Sequence, residues 1–310
     1  MNNSLIDSKR EGNFVICIYR SVLPSSLRIK IYKSFLKAIL DVVRGIKFFI
    51  KTRWFYLISY FSPLKNEKHL SYSFMGKYGK TQYPFVPFWE YQVLTVDVFI
   101  DSENQMPYVI HCSKKLYFPK NTDKSSVIEM YKVLLTEQNE KSAHRYVDSY
   151  ERFTGKVLLD IGAAEGIIAL DAIDKVKFVY LFEYDTKWVE ALEATFAPYK
   201  HKVEIIKKYV SDTNNEMCIS LDTFFKDKSI DDLFIKMDIE GAELNALHGG
   251  SFVLKNAKNL DFSICLYHKP EDEYTIPAFL KSCGHEYVVS QGFIFMDWWL
   301  RKGVVRKLIK

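Results

Sequence analysis

The sequence predicts an α/β protein organised around a mostly parallel sheet. Three observations carry that reading. Short apolar runs recur near residues 156–161, 177–183, 202–207, 232–238 and 260–267, with helical patterns between them, and such alternation marks βα units. The runs are apolar almost throughout rather than alternating, as strands buried on both faces are. Three of them end in acids, Asp160, Glu183 and Asp238, at the strand ends where open α/β sheets take ligands.

The elements follow in order. Residues 1–65 read as a helical extension broken near Ser62-Pro63. Between Arg20 and Arg53 nine bases face the single acid Asp41. Tyr32, Phe35, Leu36, Ile39, Val43, Ile46 and Ile50 fall at helical spacing, while Lys33, Lys37, Arg44, Lys47 and Lys51 take other faces. This is a basic amphipathic helix. Residues 28–53 suit an anionic membrane surface. They equally suit a helix whose apolar face caps the domain or a second subunit, so peripheral membrane contact and a homo-oligomer both stay open. The uncharged run that follows is too short to span a bilayer, which needs about 20 residues.

Residues 66–135 read as an accessory region. The aromatic stretch 72–91, punctuated by Gly76, Gly79, Pro84 and Pro87, reads as an irregular loop that either stacks a sugar or packs on the domain. Residues 91–100 and 106–118 read as short antiparallel strands, and 119–125 as a linker. Ser126-Val-Ile-Glu129 is a capping-box pattern opening a helix to about Leu135. Residues 136–310 hold the ligand-binding domain, with a helix over 142–150 before the first strand. Residues 285–290 and 293–299 leave no room for a long helix between them and predict a closing antiparallel hairpin. Residues 302–310 read as a basic tail.

With 310 residues, 48% hydrophobic and 15% aromatic, the chain has material for a substantial core. Its five cysteines lack metal or C-x-x-C spacing, and no signal peptide is evident. Both point to a reducing, cytoplasmic setting, at the inner face of a membrane if the helix binds lipid. Nucleic acid is a poor partner for a net charge of +5 that is concentrated on one peripheral helix.

The motif Asp160-Ile-Gly-Ala-Ala-Glu-Gly166 is not a dinucleotide fingerprint, because Ala164 stands where the second glycine belongs. It looks like the first motif of S-adenosylmethionine-dependent methyltransferases. Lys236-Met-Asp-Ile-Glu-Gly-Ala-Glu243, preceded by Ser220-Leu-Asp-Thr-Phe-Phe225 and followed by Leu247-His-Gly-Gly250, strongly resembles the FkbM-type methyltransferase family. The resemblance spans roughly residues 135–290. It departs from the family at Ala164, where an Asn is usual. It implies a Rossmann-like seven-stranded methyltransferase sheet, mostly parallel with an antiparallel terminal hairpin, behind a helical and small β extension. It further implies methyl transfer from S-adenosyl-L-methionine to a hydroxyl of a glycan or small metabolite. A catalytically silent module of the same fold, binding the cofactor or a partner, is the alternative. Ala164 and Asp160 disfavour a nicotinamide oxidoreductase.

The candidate residues follow from these placements. Gly162 and Gly166 leave the backbone open to a ligand, with Asp160 and Ala163 beside them. Glu183, 23 residues after Asp160, suits ribose hydroxyls. Ser211 and Asp212 fall near the adenine edge, and Glu137, His144 and Arg145 in the segment that folds over the cofactor. Asp238, Glu240 and His268 converge past two strand ends. Asp238 serves cofactor or catalysis, and His268 with Glu240, or His144, is a candidate base. Asp238, Glu240 and His268 also form a candidate set for a divalent metal.

Overall fold

The computed structural model describes residues 25–308. Residues 1–24 of the expected extension lie outside the described residues, as do the side chains of Arg28, Lys30, Tyr32, Lys33, Phe35 and Leu36. The chain enters as one long helix, α1 (Ser25–Phe61), which ends at Ser62-Pro63, where proline's ring disfavours further helix. α2 (Glu67–Tyr78) is capped by the Asn66 side chain, which accepts from Lys68 N and His69 N. The loop read over 72–91 is therefore helical through Tyr78. Gly76 is not a turn residue: a Cβ there would come within 2.3 Å of the Thr52 carbonyl oxygen, so its role is to let α1 and α2 touch. The aromatic side chains pack on one another, with Tyr78 and Trp89 stacked at 4.7 Å and Phe74 beside both.

After α3 (Phe88–Gln92), the strand read over 91–100 shrinks to β1 (Phe99–Ile100), which pairs with β2 (Pro107–His111). β2 turns into β3 (Lys114–Tyr117) through Cys112 and Ser113, both left-handed as a two-residue hairpin requires. α4 (Lys124–Glu137) starts on Asp123 rather than Ser126, because the Asp123 carboxylate accepts from Ser126 N and from its hydroxyl. The helix expected over 142–150 does not form; a 3₁₀ turn covers Tyr150–Phe153. Tertiary bonds replace the helical ones. The Ala143 carbonyl accepts from Ser290 Oγ and the Tyr146 carbonyl from Ser263 Oγ.

The expected βα alternation follows: β4 (Val157–Ile161), α5 (Ile167–Ala172), β5 (Phe178–Phe182), α6 (Thr186–Thr195) and β6 (Val203–Ile206). A small pair, β7 (Tyr209–Val210) and β8 (Cys218–Ile219), leads to α7 (Leu221–Phe224) and β9 (Leu233–Met237). Next come α8 (Glu243–His248), α9 (Ser251–Asn256), β10 (Asp261–Cys265), α10 (Asp272–Ser282) and β11 (Tyr287–Val289). The chain closes with β12 (Ile294–Met296), β13 (Trp299–Arg301) and β14 (Val304–Lys307).

The seven-stranded sheet runs β11-β14-β10-β9-β4-β5-β6. β10, β9, β4, β5 and β6 pair in parallel, and β14 is antiparallel to both neighbours. The mostly parallel sheet is as expected, but its closing hairpin is displaced. Residues 293–299 belong to a separate ribbon, β12–β13, and β11 pairs instead with β14. The expected basic tail is thus a sheet strand, because its Val304 and Val305 are fully buried while the bases lie around them. Core side chains alternate between the faces. Leu158 packs on one side with Val109, Leu116, Phe118 and Leu134 from the preceding region; Leu159 and Ile161 pack on the other. Among the described residues no helix is long and apolar enough to cross a membrane.

Candidate active site

The order of strands reverses between β4 and β9, the switch point at which such sheets bind ligands. Asp160 and Lys236 are register partners there. Lys236 Nζ lies 2.9 Å from Asp160 Oδ1 and donates to the Gly162 carbonyl at 2.6 Å. Both side chains are almost wholly buried. Burial works against the charge on Lys236, but Asp160 and Asp238 outweigh it and hold the ammonium above its usual range. Asp160 thus anchors a lysine beneath the loop while also lining the first cavity.

The glycines also serve the protein's own packing. Gly162 has φ +75°, and a Cβ on it would meet the Asp238 carbonyl oxygen at 1.9 Å. A Cβ on Gly166 would meet Leu192 at 2.6 Å. Their missing side chains admit the protein's own neighbours, and the strand-to-helix turn closes on β9 and α6 as a result.

Asp238 is the hub of the site. Tyr146 OH donates to its Oδ2 at 2.5 Å and Tyr267 OH at 3.2 Å. His144 Nε2 lies 3.4 Å from Oδ2, and His268 Nε2 lies 3.3 Å from Oδ1. Burial would push this carboxyl up, but His144, Lys236 and His268 hold it far below the usual range. Burial and the nearby acids push both tyrosines well above theirs, so they remain donors. The second nitrogen of His268, Nδ1, donates to Glu243 Oε1 at 2.8 Å. Glu243 is fully buried, and the same oxygen accepts from Ile239 N. Burial disfavours the imidazolium of His268, yet Glu243, Asp238 and Glu240 raise its pKa above the ordinary value.

Two cavities open on this edge. One, of about 480 Å³, is lined by Glu137, Tyr146, Asp160, Ala163, Glu165, Lys236, Tyr267 and His268. The other, of about 630 Å³, is lined by Glu183, Tyr184, Trp188, Tyr209 and Ser211. Gly162, Ala164, Asp238 and Glu240 border both. Glu183 Oε1 accepts from Tyr184 N and Asp185 N, and Oε2 from Ala164 N alone, so Oε2 retains a free lone pair at the cleft. That acceptor and the aromatic walls fit an adenosine with its two ribose hydroxyls. Asp212, Arg145 and His144 line neither cavity. Asp212 lies beyond Ser211 against Gly249, and His144 is buried behind Tyr146 and Tyr267. Glu137 lines the first cavity rather than the cleft and accepts from Tyr83 OH at 2.7 Å. Glu240 has a left-handed backbone and an exposed carboxylate 3.6 Å from His268 Nε2.

Residues 160–287 match the family model described as the methyltransferase FkbM domain. Among solved structures the chain is similar to methyltransferase FkbM from Methylobacillus flagellatus KT, with 18% identity, 60% of this chain and 56% of that chain covered, and a TM-score of 0.42. The chain thus spans little more than half of that protein. It is also similar to magnesium protoporphyrin IX methyltransferase from Synechocystis PCC 6803 with bound S-adenosylmethionine, at 14% identity, 61% and 86% coverage and a TM-score of 0.38. At such identities the likeness is one of fold. A comparison with curated proteins gives no match.

Sequence reasoning missed Lys236, Tyr146, Tyr267 and Glu243 as members of this site. A lysine inside an otherwise apolar strand, two residues before Asp238, was the available signal for Lys236. Glu243 stood in the same motif run. Tyr146 had no local signal, because only the tertiary path of 142–149 brings it to Asp238.

Lys236→Met should destabilise the fold by about 3–5 kcal/mol, the cost of leaving a buried carboxylate without its partner. Adding Asp160→Asn should recover part of that loss. Urea unfolding of the single and double variants measures both, and a single variant within about 1 kcal/mol of wild type contradicts the anchoring role.

Proposed function

We propose that the chain transfers a methyl group from S-adenosylmethionine to a hydroxyl of a glycan or another small metabolite. The observation that carries this reading is the meeting of two cavities at Gly162, Ala164, Asp238 and Glu240. The Glu183 cleft holds the adenosyl end, with Glu183 Oε2 on the ribose hydroxyls and Tyr184, Trp188 and Tyr209 beside the base. The bound cofactor supplies a methyl group already activated by its sulfonium charge. The chain's own task is to hold an acceptor oxygen in line with that methyl, keep water out and remove a proton. His268 Nε2 faces the first cavity and takes the proton. Glu243, accepting from Nδ1–H, fixes the tautomer and ring orientation. Asp238 stabilises the imidazolium that results.

The spacing around His268 favours a second reading. Nε2 lies 3.3 Å from Asp238 Oδ1 and 3.6 Å from Glu240 Oε2, an arrangement that would also close on a divalent cation. Such an ion would lower the acceptor's pKa in place of the imidazole. Turnover that survives EDTA supports the base; turnover lost to EDTA and restored by magnesium supports the metal.

Two outcomes test the main reading. Glu183→Gln should weaken S-adenosylmethionine binding by about 1–3 kcal/mol in calorimetry, the cost of replacing a charged acceptor. Unchanged affinity removes Glu183 from the cofactor site. S-adenosylhomocysteine release, followed by mass spectrometry over a glycan and metabolite pool, distinguishes an enzyme from a silent binding module.

The pH profile tests His268. Only neutral imidazole accepts a proton, so the rate should fall as pH drops through the His268 pKa. That pKa is raised, so the limb should lie above the ordinary imidazole value of about 6.5. Glu243→Gln removes the strongest upward push and should move the limb to lower pH. His268→Ala should cut turnover about a hundredfold to ten-thousandfold and leave cofactor affinity intact. Unchanged turnover and an unchanged profile in His268→Ala would exclude both the base and the metal.

A further inference from the structure

The helix α1 has two apolar faces, and only one is used. Its inner face carries Phe48, Thr52 and Phe55. Phe48 lies 4.7 Å from the Phe295 ring of β12, and Phe55 stacks on His69 of α2 at 4.2 Å. At 100° per residue, Val42, Ile46, Phe49, Ile50, Trp54 and Leu57 fall on the opposite side. All six are exposed, from 55% to 62%. The apolar residues Ile39, Val43, Ile46 and Ile50, whose spacing marks the helix as amphipathic, thus face away from the domain.

Charge lies beside this stripe. From residue 37 to residue 61 the helix carries Lys37, Arg44, Lys47, Lys51 and Arg53 against Asp41 alone, and Asp41 pairs with Arg44. Lys47 falls on one flank of the stripe and Arg53 stands within it, Lys51 lies further round over the Tyr72 ring, and Lys37 and Arg44 fall on the side of Phe55. A second copy laid on the same face would set like charges along like charges. An anionic lipid surface meets both features at once, because it takes apolar side chains between acyl chains and cations at the headgroups. The inner face is fixed to β12 and β13. Met296 of β12 lines the 480 Å³ cavity, and Phe295 N donates to the carbonyl of Gln82, which also lines it. One structural unit therefore joins the exposed helix to the cavity wall.

We propose that the outer face of α1 docks on an anionic lipid surface and holds the mouth of the 480 Å³ cavity next to that surface. The docking is independent of the methyl-transfer reading, since no cofactor-cleft residue belongs to α1. The test is sedimentation of the full chain with vesicles of phosphatidylcholine alone and of phosphatidylcholine mixed with phosphatidylglycerol. Binding should require the anionic lipid and fade with added salt. Lys47→Glu with Arg53→Glu should weaken it at least about tenfold, and Ile46→Ser with Ile50→Ser should weaken it comparably, both with an unchanged thermal melt by circular dichroism. Sedimentation that ignores lipid charge, or none at all, overturns the proposal. So does a stable dimer in solution that Ile46→Ser with Ile50→Ser converts to monomer, because the stripe is then covered by a second copy.

Discussion

The site depends on one ion pair, that between Lys236 and Asp160. Two charges sit inside the sheet at the point where strand order reverses, in positions that strands of this kind otherwise fill with aliphatic side chains. Such a pair is costly to bury and costly to break. What it provides here is geometry. Through its third contact, to the Gly162 carbonyl, the ammonium ties the β4 turn to β9. The same positive charge helps keep Asp238 ionised two residues further on. The β4 turn and the end of β9 are thereby held by a single buried group.

Asp238 converts that arrangement into chemistry. A half-buried carboxylate among two tyrosine hydroxyls and two imidazoles is satisfied from several sides, so it stays charged. His268 is then clamped between carboxylates, with Glu243 on Nδ1 and Asp238 and Glu240 beyond Nε2. The ring cannot swing, and its tautomer is assigned by its partner.

Much of the fold was legible because it rests on local signals. The apolar runs identified β4, β5, β6, β9 and β10 to within a residue or two, since strands buried on both faces carry that pattern along their own length. The misreadings share a cause. β14 was hidden because Val304 and Val305 sit among bases, and only pairing between β10 and β11 buries them. The helix expected over 142–150 failed because its backbone groups found partners on distant strands. Asp160 and the two glycines lie at the β4 turn, where the sequence places them, and protein groups fill part of the space beside them. A sequence announces that a position lacks a side chain or carries a charge; it does not announce whether a ligand or the protein itself fills the adjoining space.

The two cavities divide the molecule in a way that explains which part of its function can be read. Every residue lining the 630 Å³ cleft lies between Ile161 and Ala242, inside the matched domain. The 480 Å³ cavity also draws on Gln82, Met130, Val133, Leu134, Tyr146 and Met296, all outside it. A cofactor common to many proteins is gripped by a compact motif set whose spacing is constrained by one strand-turn-helix geometry. The 480 Å³ cavity is built from what the flanking helix α4, the 142–149 segment and the β12–β13 ribbon present, and on the proposed reading an acceptor meets those segments, which come together only through tertiary packing. The cofactor class is therefore written in contiguous residues, whereas acceptor choice is written in the spatial relation of segments far apart in the chain.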